Sequence, residues 1–312
     1  MVETHLLRRE PSNPILTAEH FPCSVNSVFN AGAVKFNGQY LLLTRVEDLS
    51  GSSCLWLARS SDGVKFTPDP HPALLPASEE PFRSVEHFSL EDARITPLEG
   101  SFYITYVGYS KYDCVSLLAR TDDFETYHRV AVITLPDNKD LVLFPEKIGG
   151  RYACLNRPMT HTSDRGDIWI SFSPDLVYWG DHRPVMSPRP RKWDSTKIGA
   201  GAPPIKTSQG WMEIFHGVRT TAAGTIYRLG AVLLDLEEPW RVIGRANQAI
   251  LSPFYPEDFH GNVSNVVFTC GAVPEENGQL KVYYGAADQV MCLATATQKE
   301  IITLCVEGKE TP

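Results

Sequence analysis

The sequence lacks most signals of membrane, secreted and metal-binding proteins. It has no run of about 18 apolar residues, and its first 16 residues are charged and lack the apolar stretch of a secretory signal. The cysteines, odd in number at seven, are widely spaced, without the C-x-x-C or H-x-x-x-H pattern of a zinc site. We therefore expect a cytoplasmic protein with reduced cysteines, no metal and no organic cofactor.

The sequence also lacks an excess of positive charge. With 29 basic and 37 acidic residues, the formal net charge is −8. Binding to the phosphate backbone of nucleic acid favours a broad basic surface, so a nucleic-acid partner is not expected, nor is a membrane partner. Any site for an anion must therefore be local. The sequence leaves a homo-oligomer possible.

Helix signals are scarce, because 23 Pro and 22 Gly are spread along the whole chain. Instead, a unit of a glycine turn followed by two strands recurs five times, 50 to 68 residues apart, with turn glycines at Gly38, Gly100, Gly150, Gly210 and Gly278. This period suits a four-stranded blade. We predict an all-β, five-bladed β-propeller in which residues 1–312 form a single domain. A β-sandwich or a two-domain all-β protein is the alternative.

The repeat also predicts how the ring closes and where the site lies. The fifth unit has only two obvious strands, so we expect the N-terminal segment to complete it. We expect the first strand after each turn glycine to line the central channel. The ends of these strands and the segment before the second unit carry the charged residues Arg45, Glu47, Asp48, Glu91, Asp92, Arg94, Arg157, His216 and Asp288. Their recurrence at one position of the repeat favours a shared site over isolated turn caps.

Aromatic residues accompany these charges in the sequence. Tyr106, Tyr109, Trp211 and Tyr284 lie in the same strands and are expected to stack on sugar rings. Glu91 and Asp92 are adjacent, so alternation along a strand predicts that only one of them reaches the channel. One buried carboxylate suits a general acid. Hydrolysis with inversion needs a second carboxylate about 6.5 to 9.5 Å away, whereas phosphorolysis needs cations to hold phosphate.

Six ordered stretches carry a resemblance to a known family. They are "FNAGAVKFNGQYLLLTRVED", "EDARI", "LFPEKIGGRYACLNRP", "TKIGAGAPPI", "GWMEIFHGV" and "YYGAAD". Together they resemble glycoside hydrolase family 130, the inverting β-mannoside phosphorylases and related mannosidases, from about residue 24 to residue 297. The resemblance implies a five-bladed propeller that cleaves a β-mannoside of an oligosaccharide with inorganic phosphate as co-substrate, giving α-mannose 1-phosphate.

The resemblance also implies roles for individual residues. Asp92 is the general acid, acting through the 3-hydroxyl of the bound mannosyl unit. The implied phosphate-binding residues are Lys139, Arg157, Lys197, His216 and Tyr227. The implied substrate-binding residues are Asn30, Arg45 and Asp288, and Glu91 is expected beside them. Lys147 and Arg151 are expected on a solvated face of their hairpin.

One departure from the family pattern leaves alternatives open. Phosphorylases of the family often have Arg followed by Asn where this chain has Lys139 and Asp140. An anion there weakens phosphate binding unless Asp140 turns away or pairs with Lys139, and a lysine cannot make the two-pronged contact of a guanidinium. The alternatives are an inverting β-mannosidase, with Asp140, Glu146 or Glu213 activating water, and a non-catalytic glycan-binding propeller. The linkage and the acceptor sugar are not predicted.

Overall fold

A computed structural model describes residues 5–159, 162 and 164–308, and its strands form five sheets. The chain starts with the short strand β1 (Arg8–Arg9). The first sheet contains β2 (Ser27–Phe36), β3 (Gln39–Glu47), β4 (Ser53–Ser60) and β5 (Thr67–Pro68). The second contains β6 (Ser89–Leu98), β7 (Ser101–Ser110), β8 (Asp113–Thr121) and β9 (His128–Val132).

The remaining sheets follow the same plan. The third contains β10 (Asn138–Leu143), β11 (Tyr152–Pro158), β12 (Ile168–Ser173) and β13 (Gly180–Met186). The fourth contains β14 (Lys197–Ala200), β15 (Ile205–Thr207), β16 (Gly210–Thr221), β17 (Gly224–Leu234) and β18 (Val242–Arg245). The fifth contains β19 (Val267–Pro274), β20 (Gln279–Ala286) and β21 (Val290–Thr297).

Helices are few and short in the described part of the chain. They are the 3₁₀ helix Ala18–His20, α1 (Phe82–Val85), α2 (Pro256–Phe259) and α3 (Gln298–Glu307). The N-cap of α3 is the Thr297 side chain, which accepts from the backbone N–H of Glu300 at 3.1 Å. None of these helices is long and apolar enough to cross a membrane.

The five sheets are the blades of a propeller. Neighbouring strands within each blade are antiparallel, and the innermost strands β2, β6, β10, β14 and β19 approach those of adjacent blades. Large hydrophobic clusters fill the spaces between blades, for example the one containing Trp211, Phe144 and Phe215 between blades three and four. The predicted five-bladed β-propeller is confirmed.

The innermost strand of each blade differs from the predicted one. It precedes the turn glycine, so the strand that follows Gly38 is the second of its blade. The innermost strands contain small residues because they are crowded near the axis. A Cβ added to Gly32 would lie 2.7 Å from the carbonyl oxygen of Ala93, and one added to Gly271 would lie 2.5 Å from the backbone nitrogen of Ala33. These small residues interrupt the bulky apolar pattern that identifies strands in a sequence.

The turn glycines themselves occupy the predicted hairpins. Asn37 and Gly38 have φ of 49° and 78°, and Glu99 and Gly100 have φ of 51° and 80°. Two consecutive positive φ angles are the mark of the tight hairpin turn whose twist matches that of the flanking strands. Glycine tolerates a positive φ because it has no Cβ, and all five turn glycines have one, with φ from 78° to 148°.

The two ends of the chain meet in the fifth blade. β1 pairs antiparallel with β21, with Arg8 opposite Thr295 and Arg9 opposite Ala294. The buried Arg9 guanidinium lies 2.9 Å from Asp258 and donates to the Tyr284 hydroxyl at 2.6 Å. This blade therefore contains strands from both ends of the sequence, which ties the N-terminal segment to the ring.

Candidate active site

Three β-bulges aim polar side chains at the propeller axis. The innermost strands of blades one, two and three each contain one extra residue relative to their partner strand. Asn30, Asp92 and Asp140 lie in these bulges with φ of 51°, 51° and 57°. Asn and Asp adopt this left-handed conformation more readily than other residues with a side chain. The bulge also breaks the alternation of side chains, so Glu91 and Asp92 both face the cavity and the prediction that only one reaches it was wrong.

The bulges open onto a cavity of about 290 Å³ at one end of the central channel. All five blades contribute to its wall. The cavity brings together the ten residues expected to act in catalysis, phosphate binding or substrate binding, which are Asn30, Arg45, Glu91, Asp92, Lys139, Arg157, Lys197, His216, Tyr227 and Asp288. Arg94, also expected at the shared site, does not line the cavity. Residues at the ends of strands from separate repeats therefore share one enclosed space.

Blades one, two and five supply a wall rich in carboxyl groups. The amide nitrogen Nδ2 of Asn30 donates to Oδ1 of Asp92 at 2.9 Å. The Arg45 guanidinium lies 3.0 Å from Glu91 and 3.6 Å from Asp92. Asp288, the third carboxylate of this wall, follows β20 with φ of 50°. Arg45 and Asn30 thus fix the position of the Asp92 carboxyl.

Two carboxyl groups of this wall hold their protons more tightly than usual. Burial, reinforced by the charge of Asp92, raises the pKa of Asp288 to about 7. Burial also raises the pKa of Glu91, although Arg45 opposes the shift. Desolvation disfavours the ionised form of an acid, and a neighbouring anion adds to the effect. Asp288 is therefore partly protonated near neutral pH.

Blades three and four supply a wall rich in cations. Lys139 and Arg157 lie directly opposite each other on β10 and β11. Lys197 and His216 come from β14 and β16, and the ring of Tyr227 stacks at 26° on that of His216. Burial, together with the charges of Arg157 and Lys139, lowers the pKa of Lys197. These like charges favour the binding of an anion between them.

His216 lies in this cationic wall as a neutral imidazole. Its side chain is buried, and burial lowers its pKa to about 3 even though the nearby Asp140 carboxylate opposes the shift. Its ring packs against that of Phe268, with the two centroids 4.6 Å apart. A neutral imidazole offers one hydrogen-bond donor and one acceptor.

Asp140 makes its short contacts with two guanidinium groups and with the neutral His216. Its Oδ2 lies 2.7 Å from Nε of Arg157 and 3.4 Å from Nε2 of His216, and its Oδ1 accepts from Nη2 of Arg94 at 3.3 Å. Burial alone would raise the pKa of Asp140, but the positive charges of Arg157, Arg94 and Lys139 hold it well below its usual range. Asp140 is therefore an ionised carboxylate whose partners are arginines.

Glycines in the recurring motifs make room for these side chains. A Cβ at Gly199, in "TKIGAG", would overlap Oδ2 of Asp140 and the ring of His216. A Cβ at Gly285, in "YYGAAD", would overlap Oδ1 of Asn30. Neither glycine has the positive φ that favours this residue. Their role is steric, because the site side chains occupy the space that a methyl group would need.

Several charged residues considered from the sequence lie outside the cavity. Asp48 accepts hydrogen bonds from the backbone of Ser50 and Ser52, so it caps a turn. Glu47 accepts from Asn26 at 2.7 Å. Lys147 pairs with Glu99 and Arg151 pairs with Asp181, both with partly exposed side chains, which agrees with the expected solvated face.

The two other carboxylates considered as a base also lie elsewhere. Glu146 forms an ion pair with Lys206 and does not line the cavity. Glu213 is buried, accepts from the backbone N–H of Gly201 at 3.0 Å and is absent from the cavity wall. Burial raises the pKa of Glu213 well above its ordinary value.

The prediction of four aromatic residues that stack on sugar rings was wrong. Tyr106, Trp211 and Tyr284 are buried in the hydrophobic clusters, and Tyr109 is exposed but does not line the cavity. The aromatic rings of the cavity are those of Tyr227 and Phe268. These bulky residues of the second strands were expected in the channel because those strands were expected to be innermost.

Part of the cavity lining was not predicted from the sequence. The additional residues are Asp137, Met159, Thr225, Val263, Val266 and Phe268. Most lie in loops or at the start of β19, where the glycine-turn repeat gives no signal. Within residues 5–159, 162 and 164–308, no group of three or more His, Cys, Asp or Glu side chains is arranged to hold a metal ion.

The propeller has a carboxyl-rich wall and a cation-rich wall around one cavity, and comparison with known proteins gives its family. Residues 7–307 match the family model Glyco_hydro_130, described as beta-1,4-mannooligosaccharide phosphorylase. The chain belongs to glycoside hydrolase family 130.

Named relatives extend over most of the chain. The 1,2-beta-oligomannan phosphorylase of Thermoanaerobacter sp. (strain X514) is 38% identical, covering 88% of this chain and 91% of the relative. The beta-1,4-mannooligosaccharide phosphorylase of Ruminococcus albus is 36% identical, covering 94% and 89%. Among solved structures, a beta-1,2-mannobiose phosphorylase from Listeria innocua in complex with beta-1,2-mannobiose is 32% identical, with a TM-score of 0.88 over 96% of this chain and 99% of that one.

Asp288 gives a testable pH dependence of stability. Its pKa of about 7 in the folded chain exceeds the value of about 3.9 for an unfolded aspartate, so the folded state binds the proton more tightly. The contribution of Asp288 to the free energy of unfolding is therefore full below about pH 4 and is lost as the pH rises to about 7. We compare the free energies of unfolding of Asp288→Asn and the wild type, measured in urea. As the pH rises from about 5 to about 7, the difference should change by about 2 kcal/mol in favour of the variant.

The exposed surface carboxylate Glu237 provides a control, as Glu237→Gln. The free energy of unfolding of Glu237→Gln should change with pH as that of the wild type does. If Asp288→Asn also ran parallel to the wild type over this range, the elevated pKa of Asp288 would be refuted.

Proposed function

We propose that this chain is an inverting β-mannoside phosphorylase, which converts a β-mannoside and inorganic phosphate into α-mannose 1-phosphate and a shortened acceptor. The observation that carries the proposal is the division of the cavity into two walls. Carboxyl groups come from blades one, two and five, and cations come from blades three and four. The named relatives above, described as mannoside phosphorylases, support it. The seven cysteines are all free in the described part of the chain, which supports a cytoplasmic location.

The carboxyl-rich wall suits the mannosyl unit and its leaving group. In the proposed reaction, Asp92 supplies the proton, through the 3-hydroxyl of the mannosyl unit, to the glycosidic oxygen as its bond to C1 breaks. Asn30 and Arg45 hold the Asp92 carboxyl in place by direct contacts. Asp288, whose pKa is raised to about 7, can donate a hydrogen bond to a sugar hydroxyl in its protonated form, and Glu91 lies on the same wall, 3.0 Å from Arg45.

The cation-rich wall suits the nucleophile. A phosphate oxygen forms the new bond to C1 from the face opposite the departing oxygen, so the configuration inverts. Lys139, Arg157 and Lys197 compensate the charge of phosphate, and His216 and Tyr227 supply neutral hydrogen-bonding groups. Phosphate is already an anion, so it needs no carboxylate to activate it.

The charge distribution disfavours the two alternatives. A hydrolase needs a free carboxylate to activate water, but Asp140 is held by arginines, while Glu146 and Glu213 do not line the cavity. Asp137 is the remaining carboxylate on the cationic side and would be the base in a hydrolase. A non-catalytic propeller that binds neutral glycans would have no need for three cations at its axial site.

The proposed function is tested by product analysis. Purified protein is incubated with β-1,2- and β-1,4-linked mannobiose, with and without about 10 mM phosphate, which exceeds a typical KM. We expect mannose 1-phosphate only in the presence of phosphate, measured by anion-exchange chromatography. Free mannose released equally in both samples would overturn the proposal and direct the search for a base to Asp137.

Asp92→Asn tests the proposed general acid. The amide has the same shape but cannot donate the proton, so kcat for mannobiose should fall about 10²- to 10⁴-fold. A mannoside with a nitrophenyl leaving group needs little protonation, so its cleavage should be retained far better. Asp48→Asn is the matched control. The Asp48 carboxylate caps a turn after β3 of blade one, so this variant should behave as the wild type. Full activity of Asp92→Asn on mannobiose would remove Asp92 from this role.

Asp140→Asn separates phosphorolysis from hydrolysis. The substitution removes an anion beside the phosphate site, so the KM for phosphate should fall by about threefold to tenfold. Because Arg94 and Arg157 then lose their buried counter-charge, the variant should unfold more readily without phosphate. Phosphate should therefore raise the midpoint of thermal unfolding of Asp140→Asn more than it raises that of the wild type. Loss of all cleavage in a variant that is folded with phosphate present would instead identify Asp140 as a base.

A further inference from the structure

Two arginines on the β16–β17 hairpin of blade four have no partner of opposite charge. Arg219 lies in β16 and Arg228 in β17, and neither forms a hydrogen bond or an ion pair with a described residue. In the part of the chain that the structure describes, every other arginine except Arg191 has a side-chain nitrogen within 4.0 Å of a carboxylate oxygen. The absence of a carboxylate beside Arg219 and Arg228 is therefore unusual for this protein.

The two guanidinium groups belong to one face of the hairpin. Arg228 is directly opposite Gly217, and Arg219 is directly opposite Ile226. Directly opposite residues of an antiparallel pair share a face, and so do residues two apart in one strand. Arg219 and Arg228 are therefore diagonal neighbours, about 7 to 8 Å apart along the backbone, which is within reach of long side chains. We call them the arginine pair.

The other face of the same hairpin belongs to the active-site cavity. Tyr227 directly precedes Arg228, and Thr225 lies two residues before Tyr227, so alternation along β17 places both on the face opposite the arginine pair. Tyr227 and Thr225 line the cavity, whereas Arg219 and Arg228 do not. The hairpin itself therefore separates the arginine pair from the proposed phosphate site.

A carboxylate on the same face of the hairpin is already engaged. A Cβ added to Gly217 would lie 2.5 Å from Cβ of Asp194, so Asp194 packs on the face that carries Arg228. The Asp194 carboxylate lies 2.7 Å from Arg189 and 2.6 Å from Arg245. It forms no ion pair with Arg228, whose charge it leaves uncompensated.

Arg228 carries this uncompensated charge in a half-buried position. Its Nη1 is shielded from solvent and has no hydrogen-bond partner among the described residues. Burial, together with the charge of Arg219, lowers the pKa of Arg228, but a guanidinium remains protonated at neutral pH. A buried cation without an anion or acceptor is costly, and a neighbouring like charge adds to this cost. An external anion held by both arginines would remove it.

We propose that Arg219 and Arg228 form a second anion site, which binds a phosphate group on the hairpin face turned away from the cavity. The planar fork of a guanidinium matches two oxygens of a phosphate group. The phosphate group belongs either to inorganic phosphate or to a phosphate monoester such as mannose 1-phosphate. The bound anion contacts both β16 and β17, so it stabilises the hairpin that carries His216 and Tyr227 of the cationic wall.

Equilibrium dialysis with radiolabelled inorganic phosphate, at constant ionic strength, counts the sites. We expect two bound phosphates per wild-type chain, one in the active-site cavity and one at the arginine pair. Arg228→Gln loses a charge-assisted hydrogen bond, so the affinity of the second site should fall about tenfold or more. Arg228→Lys keeps the charge but lacks the fork, so its affinity should lie between those of the wild type and Arg228→Gln. Lys197→Ala should weaken the site in the cavity instead.

Arg191→Gln is the matched control. Arg191 also lacks an ion pair in the described structure, but it is exposed in the loop before β14, so this variant should bind two phosphates. Dialysis against mannose 1-phosphate identifies the source of the phosphate group. If the monoester also binds at the arginine pair, Arg228→Gln should weaken its binding, and if free phosphate is the ligand, only phosphate binding should depend on Arg228.

Thermal unfolding separates loss of the ligand from damage to the fold. Without phosphate and at low ionic strength, Arg228→Gln should unfold at a temperature no lower than the wild type, because it lacks the unpaired buried cation. Added phosphate should raise the midpoint of thermal unfolding of Arg228→Gln less than it raises that of the wild type.

The number of bound phosphates also distinguishes this proposal from the proposed function. One bound phosphate in the wild type, weakened by Lys197→Ala and retained in Arg228→Gln, would overturn the second site and leave the phosphorylase proposal intact. One bound phosphate that only Arg228→Gln weakens would support the second site and contradict the phosphate site of the cavity. Two phosphates bound by Arg228→Gln with wild-type affinity would overturn the assignment of the second site to the arginine pair.

Discussion

The close approach of five innermost strands around one axis is the constraint on which the rest of the structure depends. The strands pass so near each other that a methyl group at Gly32 or Gly271 would meet the backbone of the next blade. Such strands cannot all remain regular and still leave room for a ligand. The bulges at Asn30, Asp92 and Asp140 resolve this conflict, because each breaks the ladder and turns a polar side chain toward the axis.

The bulges also explain how the cavity holds so many charges in little space. Each buried charge would be costly without a partner of opposite sign. Arg45 is matched by Glu91 and Asp92, while Asp140 is matched by Arg94 and Arg157. After these pairings, Lys139 and Lys197 remain as cations in the third and fourth blades. The site is thus prepared for one external anion, which is the charge that inorganic phosphate would bring.

The contacts of Asp140 show what this residue does in the folded chain, where phosphorylases of the family often have Asn. From the sequence, an aspartate after Lys139 could have opposed phosphate, paired with Lys139 or served as a base. In the folded chain its carboxylate satisfies Arg94, which is wholly buried, and approaches Nε of Arg157. The same anion that offsets part of the cationic wall therefore stabilises Arg157, which lines that wall, and Arg94, which does not line the cavity.

The error in strand order changed little in which residues were expected to meet. The ten residues given a role in the site, several of them only through the family resemblance, line one cavity, whereas Glu47, Asp48 and Arg94 do not, and the innermost strand of each blade was placed one position too late. The error had little effect on residues such as Arg45 and Arg157, because the second strand of a hairpin ends where the first begins. It did mislead the choice of Tyr106, Trp211 and Tyr284, whose rings point between the blades.

By itself, the sequence determined the number of blades, because each hairpin requires its own glycine turn, and it determined which residue types meet at the axis. Only the tertiary structure decided that Glu91 and Asp92 face the same space, since a bulge of one residue leaves no reliable mark in a single sequence. It also decided the charge state of Asp140, Asp288 and His216, because burial and neighbouring charges depend on residues far away in the chain.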